Sequence, residues 1–147
     1  MMPSRLAAHF LADRQSCGIY RLPPGWAPDR CDPSLCWRTL APLPAIDRES
    51  LLAALGATLA FPDYYGQNWD AAWDCLTELD WPAGQLLVIH LPIAADCPLV
   101  AADLHIFLEL LGDACQHWAE RDHALCLLVE TPRADLSALQ ALPDLAG

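Results

Sequence analysis

The chain contains no lysine. Its eight basic residues are all Arg and face nineteen Asp and Glu, a formal net charge of −11. A general nucleic-acid binder needs cations to displace phosphate counterions, so direct nucleic-acid binding is disfavoured. Between Arg48 and Arg121 there is no basic residue of any kind. No apolar run approaches the about 18 residues that mark a membrane span, and the opening Met1–Arg5 and the mixed stretch after it lack the apolar core of a secretory leader. The seven Cys include no CxxC pair. Cys31 and Cys36 are spaced Cx4C, but no second Cys or His pair follows at a zinc-ligand interval. Glycine-rich phosphate loops and nucleophile motifs are also missing. These absences lead to the expectation of a cytoplasmic protein with reduced thiols, without metal or cofactor, and not an enzyme.

What is present bounds the chain further. A length of 147 residues fits one domain with a core of its own. Hydrophobic residues make up 54 %, with six Trp, which excludes a disordered tail. Residues 49–120 hold eleven acids, whereas the flanks hold the other eight acids and all eight Arg. The net charge therefore lies in the middle of the chain. Such acidity aids solubility, and it also steers basic partners.

Seven of the thirteen prolines fall in residues 1–46, so regular structure there is expected to be brief. Leu6 to Leu11 reads as a short helix, Ile19 to Leu22 as a short strand stopped by Pro23-Pro24, and Leu35 to Leu40 as a second strand. Asp47 is placed to cap a helix whose Leu51, Leu52, Leu55 and Leu59 share one face, ended by Phe61-Pro62. Asn68 is placed to cap a second helix, about 69–79, with Ala72, Cys75, Leu76 and Leu79 turned inward. Gln85 to Leu91 and Ala124 to Val129 are nearly continuous apolar runs, as in strands buried on both faces of a parallel sheet. Between them Leu104, Phe107, Leu108, Leu111, Cys115 and Trp118 follow a helical period. The order predicts a small α/β domain over 35–131, with an N-terminal elaboration at 1–34. In the tail, 132–147, Leu136, Leu139 and Leu142 are spaced for a docked helical turn or two.

On the predicted helix 69–79, Asp70, Asp74 and Glu78 recur every four residues and share one face. The helix dipole favours Asp70 in the first turn, while like charges at i,i+4 cost a few tenths of a kcal/mol per pair. No Lys or Arg lies three or four positions away. Trp73 and Thr77 lie beside these acids, and Tyr64, Tyr65 and Trp81 flank the helix. Carboxylates bordered by large aromatics are a mixture that protein interfaces favour. A solvated helix face and part-buried rings are the ordinary alternative.

The run Phe61-Pro62-Asp63-Tyr64-Tyr65-Gly66-Gln67-Asn68-Trp69-Asp70-Ala71-Ala72-Trp73-Asp74-Cys75-Leu76-Thr77 resembles the barstar family of ribonuclease inhibitors, with looser similarity across about 36–130. The resemblance implies a three-stranded parallel sheet packed with helices. It also implies a partner, a basic secreted ribonuclease of the barnase type, bound by a protein that is monomeric when free. Asp74 matches the family's central inhibitory carboxylate, which fills the nuclease's phosphate pocket among Arg and His side chains. Asp70 matches a second interface carboxylate, Tyr64 an aromatic covering the catalytic region, and Trp73 and Thr77 further contacts. Gly66 and Asn68 match the loop that positions the helix, with Tyr65, Glu78 and Trp81 as supporting residues. A carboxylate offers Arg a bidentate acceptor much as phosphate does.

The pattern departs from the family in three places. Trp81 lies four residues beyond Thr77, where the prototype has a Trp two beyond. Gln116 or His117 occupies the place of an interface Glu on the helix before the last strand, with Glu120 about a turn later. Residues 1–34 have no counterpart. Two rival readings remain at this level: the same scaffold neutralising another basic protein, such as an unrelated toxin or regulatory partner, and acid–base chemistry by His90 with Asp70 or Asp74.

Overall fold

The computed structural model describes residues 5–22, 32–40, 43–62, 65–133, 136 and 139–142. The elements in chain order are α1 (Arg5–Ala12), a 3-10 turn (Arg14–Ser16), β1 (Ile19–Arg21), β2 (Leu35–Thr39), α2 (Arg48–Thr58), α3 (Trp69–Leu76), β3 (Leu86–Pro92), α4 (Ala101–Ala119) and β4 (Ala124–Glu130). The expected strand stop at Pro23-Pro24 and the site residue Tyr64 lie outside the described residues, as do Cys31 and Asp63.

The two apolar runs form the centre of a parallel sheet. β3 pairs with β4 from Leu86↔Ala124 to Pro92↔Glu130, and β2 pairs with the other edge of β3 from Leu35↔Leu86 to Thr39↔His90. Side chains alternate along each strand. Leu87, Ile89, Leu91, Leu125, Leu127 and Val129 join the cluster that holds the inner faces of α2, α3 and α4. Leu86, Val88, Ala124, Cys126 and Leu128 meet Leu6, Ala7 and Phe10 of α1 on the opposite face. A sheet covered on both sides needs apolar residues at every position, which explains the absence of alternation in these runs.

The sheet has four strands, in the order β1-β4-β3-β2, rather than the three expected. The fourth is β1, which pairs in parallel with β4 from Ile19↔Leu127 to Arg21↔Val129. Residues 19–22 read as a strand in the sequence, but side-chain pattern does not name a pairing partner. An unpaired β4 would present a long apolar strand at an open edge, and β1 removes that liability. The tail then covers β1: the Arg21 N–H donates to the Gln140 carbonyl at 2.7 Å and the Leu142 N–H to the Arg21 carbonyl at 2.9 Å. Leu142 is buried with α1, while Leu136 and Leu139 pack on the other cluster. The described end of the tail makes a parallel sheet-like bridge to β1 at Ala141, where the leucine spacing predicts a helical turn.

Both caps form. The Asp47 carboxylate accepts from Ser50 N–H at 2.8 Å, and Asn68 Oδ1 accepts from Ala71 N–H at 2.7 Å. α3 ends at Leu76 rather than near 79. The Thr77 N–H closes on the Trp73 carbonyl and the Glu78 N–H on that of Cys75, while Thr77 Oγ1 donates to the Asp74 carbonyl. These bonds satisfy the last carbonyls of the helix and turn the chain out of it. No helix among the described residues is long and apolar enough to cross a membrane.

The bonds from Ser50 hold the Asp47 carboxyl below its ordinary range. A depressed carboxyl stabilises the fold above the unfolded-state pKa, and that contribution is lost as pH falls through the folded-state value. Asp47→Ala should therefore lower the thermal midpoint near neutral pH, and the gap to wild type should close on acidification. Thermal melts across pH that keep a constant gap would disprove this role.

Candidate functional site

The site is a short helix held at both ends. At its start, the loop is anchored by Tyr65, whose ring lies on α2 and whose hydroxyl donates to the Leu52 carbonyl at 3.1 Å. Gly56 makes this approach possible, because a Cβ there would sit 2.9 Å from Tyr65 Cε2. Phe61 meets the same ring edge-on at a centroid distance of 4.9 Å. Burial pushes the Tyr65 phenol up to about 12. Gln67 takes a left-handed φ of 50°, a conformation uncommon for a residue with a side chain. It delivers Asn68 to its capping position, with Gly66 leaving room for the Asn68 amide.

At its end, α3 is tied to α4. Trp118 Nε1 donates to the Leu76 carbonyl at 3.0 Å. His117 meets the Trp73 ring edge-on at 5.7 Å and Trp118 at 5.3 Å. Burial among these rings lowers the His117 pKa, Arg121 adds to the effect and Glu120 opposes it. Trp81 lies in the core, edge-on to Trp118 at 4.8 Å, with its N–H on the Gln85 carbonyl. It therefore supports the helix from within and does not line its surface.

Between these anchors, Ala72, Cys75 and Leu76 are buried and Asp70 and Asp74 are exposed, one helical turn apart. Among the described residues neither carboxylate takes part in a salt bridge or a side-chain hydrogen bond. The charge of Asp74 is felt locally: burial raises the Cys75 thiol pKa first, and Glu78 and Asp74 raise it further. Trp73 and Thr77 are half-buried beside Asp74 and Asp70, while Gly66 and Asn68 are exposed in the loop. Glu78 is exposed but lies in the turn after α3, so the acidic stripe on the helix itself consists of two residues. At the late-helix position, Gln116 and Glu120 point to solvent, and it is His117 that reaches the site through Trp73.

The pairing envisaged for His90 does not form. Its Nε2 meets Glu130 Oε1 at 2.9 Å and its Nδ1 meets Thr39 Oγ1 at 3.0 Å, so its partners are neither Asp70 nor Asp74. Sequence reasoning also missed the Trp118–Leu76 bond and the Gly56–Tyr65 contact. A glycine in mid-helix was the available sign of close packing at the second of these.

Residues 43–130, more than half of the chain, match the family model described as Barstar (barnase inhibitor), and the chain belongs to that family. No curated protein matches it. The matched span contains β3, β4 and all three helices of the α2–α4 layer but excludes β1 and β2.

Gly56→Val should destabilise the protein by about 1–3 kcal/mol, since a side chain there displaces the Tyr65 ring. Tyr65→Phe, which keeps the ring and loses only the bond to Leu52, should lose about 1 kcal/mol. Urea denaturation checks both, and an unchanged midpoint in Gly56→Val would show that the loop does not rest on α2 as described.

Proposed function

We propose that this protein inhibits a basic, barnase-like ribonuclease one-to-one, presenting Asp70, Asp74 and the neighbouring rings to the nuclease active site. One observation carries the reading: two exposed carboxylates, without a salt bridge or side-chain hydrogen bond among the described residues, stand beside Trp73 on a helix clamped at both ends. Unpaired acids beside a large ring have more to gain from a cationic partner than from water alone. Phosphate-binding Arg side chains supply such a partner, and a planar carboxylate meets them with two parallel hydrogen bonds. The rings exclude water around those bonds, which raises their strength. Pre-set caps lower the ordering cost of binding.

In this reading Asp74 is the central carboxylate and Asp70 the second. Trp73 and Thr77 contact the nuclease, and Tyr64 joins them on the strength of the family motif. Tyr65, Gly66, Asn68, Glu78 and Trp81 support the surface. Residues 35–131 form the inhibitory unit, and residues 1–34 and 132–147 elaborate it. The described cysteines are free thiols, which fits a cytoplasmic inhibitor protecting its own cell. No catalytic role is assigned.

One observation favours a second reading, a basic partner other than a barnase-like nuclease. The α4 side of the site carries the imidazole of His117 against Trp73, and the family's acidic position falls on Gln116 or His117, neither of which is an acid. A partner complementary to this surface would differ there from the usual nuclease.

The test is inhibition of barnase-type ribonucleases by wild type, Asp70→Ala and Asp74→Ala at low and high salt. Wild type should inhibit, and more weakly as salt screens the encounter. Asp74→Ala should weaken binding about ten- to a hundredfold, as expected for losing a charge-assisted hydrogen bond. Nuclease activity untouched by wild type at every salt concentration would end the ribonuclease reading. Capture of a different basic protein through Asp74 would then support the second one.

A further inference from the structure

A cleft of about 790 Å³ opens across the C-terminal ends of all four strands, lined by Leu22 after β1, Thr39 of β2, Pro92 of β3 and Glu130 of β4. It shares no lining residue with the acidic helix. The carboxyl ends of parallel strands are where open α/β sheets commonly hold ligands, and this volume is in the range of small-molecule sites.

Two of its lining residues, Thr39 and Glu130, belong to an ordered polar chain. Trp37 Nε1 donates to Thr39 Oγ1 at 3.1 Å, Thr39 Oγ1 meets His90 Nδ1 at 3.0 Å, and His90 Nε2 meets Glu130 Oε1 at 2.9 Å. An ionised carboxylate only accepts, so the Nε2 proton belongs to the bond with Glu130. With the proton on Nε2 alone, Nδ1 is the acceptor for the Thr39 hydroxyl. The indole N–H occupies one lone pair of Thr39 Oγ1, and the second lone pair is left to accept from a ligand. Glu130 Oε2 has no partner among the described residues, and its side chain is 45 % exposed in the cleft.

The walls are otherwise largely apolar, with Leu22, Leu43 and Ile93 among them. Asp96 adds a second carboxylate at the rim, on a turn held by Arg133, whose Nη1 donates to the Cys97 carbonyl at 2.7 Å. No basic side chain lines the cleft among the described residues. A carboxylate with one oxygen pinned and the other open, beside a hydroxyl and against apolar walls, complements a cationic donor on an apolar stem.

We propose that this cleft is a ligand site for a small organic cation, a primary ammonium or guanidinium on a short alkyl chain, seated between Glu130 Oε2 and Thr39 Oγ1 with its stem on the leucine wall. The experiment is a titration of the full chain at fixed ionic strength with n-butylammonium and n-butylguanidinium, followed by backbone amide shifts. n-Butanol and butyrate serve as neutral and anionic controls. Both cations should give saturable shifts confined to the amides of Thr39, Leu40, Leu43, residues 93–97, Glu130 and Thr131. Butanol should bind about tenfold or more weakly, and butyrate should leave those residues unmoved. Glu130→Gln should weaken the cations by about the same factor and leave butanol unchanged. Thr39→Val, which keeps the carboxylate, should produce a smaller loss, and it serves as the test if Glu130→Gln fails to fold. Shifts spread over the acidic surface without saturation would mark simple counterion condensation and overturn the proposal. Cation binding unchanged in the variant that folds would overturn it as well.

Discussion

The parallel pairing of β3 with β4, buried on both faces, is the constraint from which the remaining architecture follows. Parallel neighbours cannot be joined by a tight turn, so each connection leaves the sheet and returns along one face as a helix. The β3–β4 connection supplies α4, and the β2–β3 connection supplies α2 and α3. All three helices lie on the Leu87/Ile89/Leu127 face, which leaves the Val88/Leu128 face to α1. The N-terminal elaboration is thus part of the solution to a two-faced apolar strand pair. It covers the second face and, through β1, the open edge.

The same constraint exposes the acidic site. Once Ala72, Cys75 and Leu76 are committed to the core, Asp70 and Asp74 have only the outer face left. Their mutual repulsion is small beside the apolar burial that holds α3, so the fold tolerates two carboxylates that have no ion-pair partner among the described residues. Strong anchoring at both ends accompanies this tolerance. The Asn68 cap and Tyr65 hold the start of the helix, and the Trp118 indole holds its last carbonyl. A helix of eight residues would be marginal alone. Here tertiary contacts supply what length does not.

Two surfaces of different chemistry result. The α3 face presents two exposed carboxylates beside the half-buried ring of Trp73. The strand-end cleft places one open carboxylate oxygen against apolar walls. Glu130 reaches that position because it ends β4 in register with Pro92, beside the β2–β3 pair Thr39 and His90. Strand register alone brings these residues together from three separate parts of the chain.

Residue spacing disclosed a good deal: the leucine face of α2, the caps at Asp47 and Asn68, the two-faced strands, and the acidic-aromatic motif that carries the family membership. These features are local, fixed by hydrogen bonds and periodicities spanning a few residues. The end of α3 was misjudged because Thr77 and Glu78 are compatible with a helix. The Trp118 indole, 42 residues from Leu76, meets the last helical carbonyl where the chain turns away. The fourth strand, the burial of Trp81, the link from His117 to Trp73 and the Thr39–His90–Glu130 chain were likewise decided by packing between distant segments. The sequence by itself determined which residues are apolar, charged or able to cap, and thereby the elements and the acidic helix face. Only the tertiary structure decided which strand covers which edge and which side chains meet, because long-range pairing is a property of the assembled sheet and leaves no periodicity along the chain.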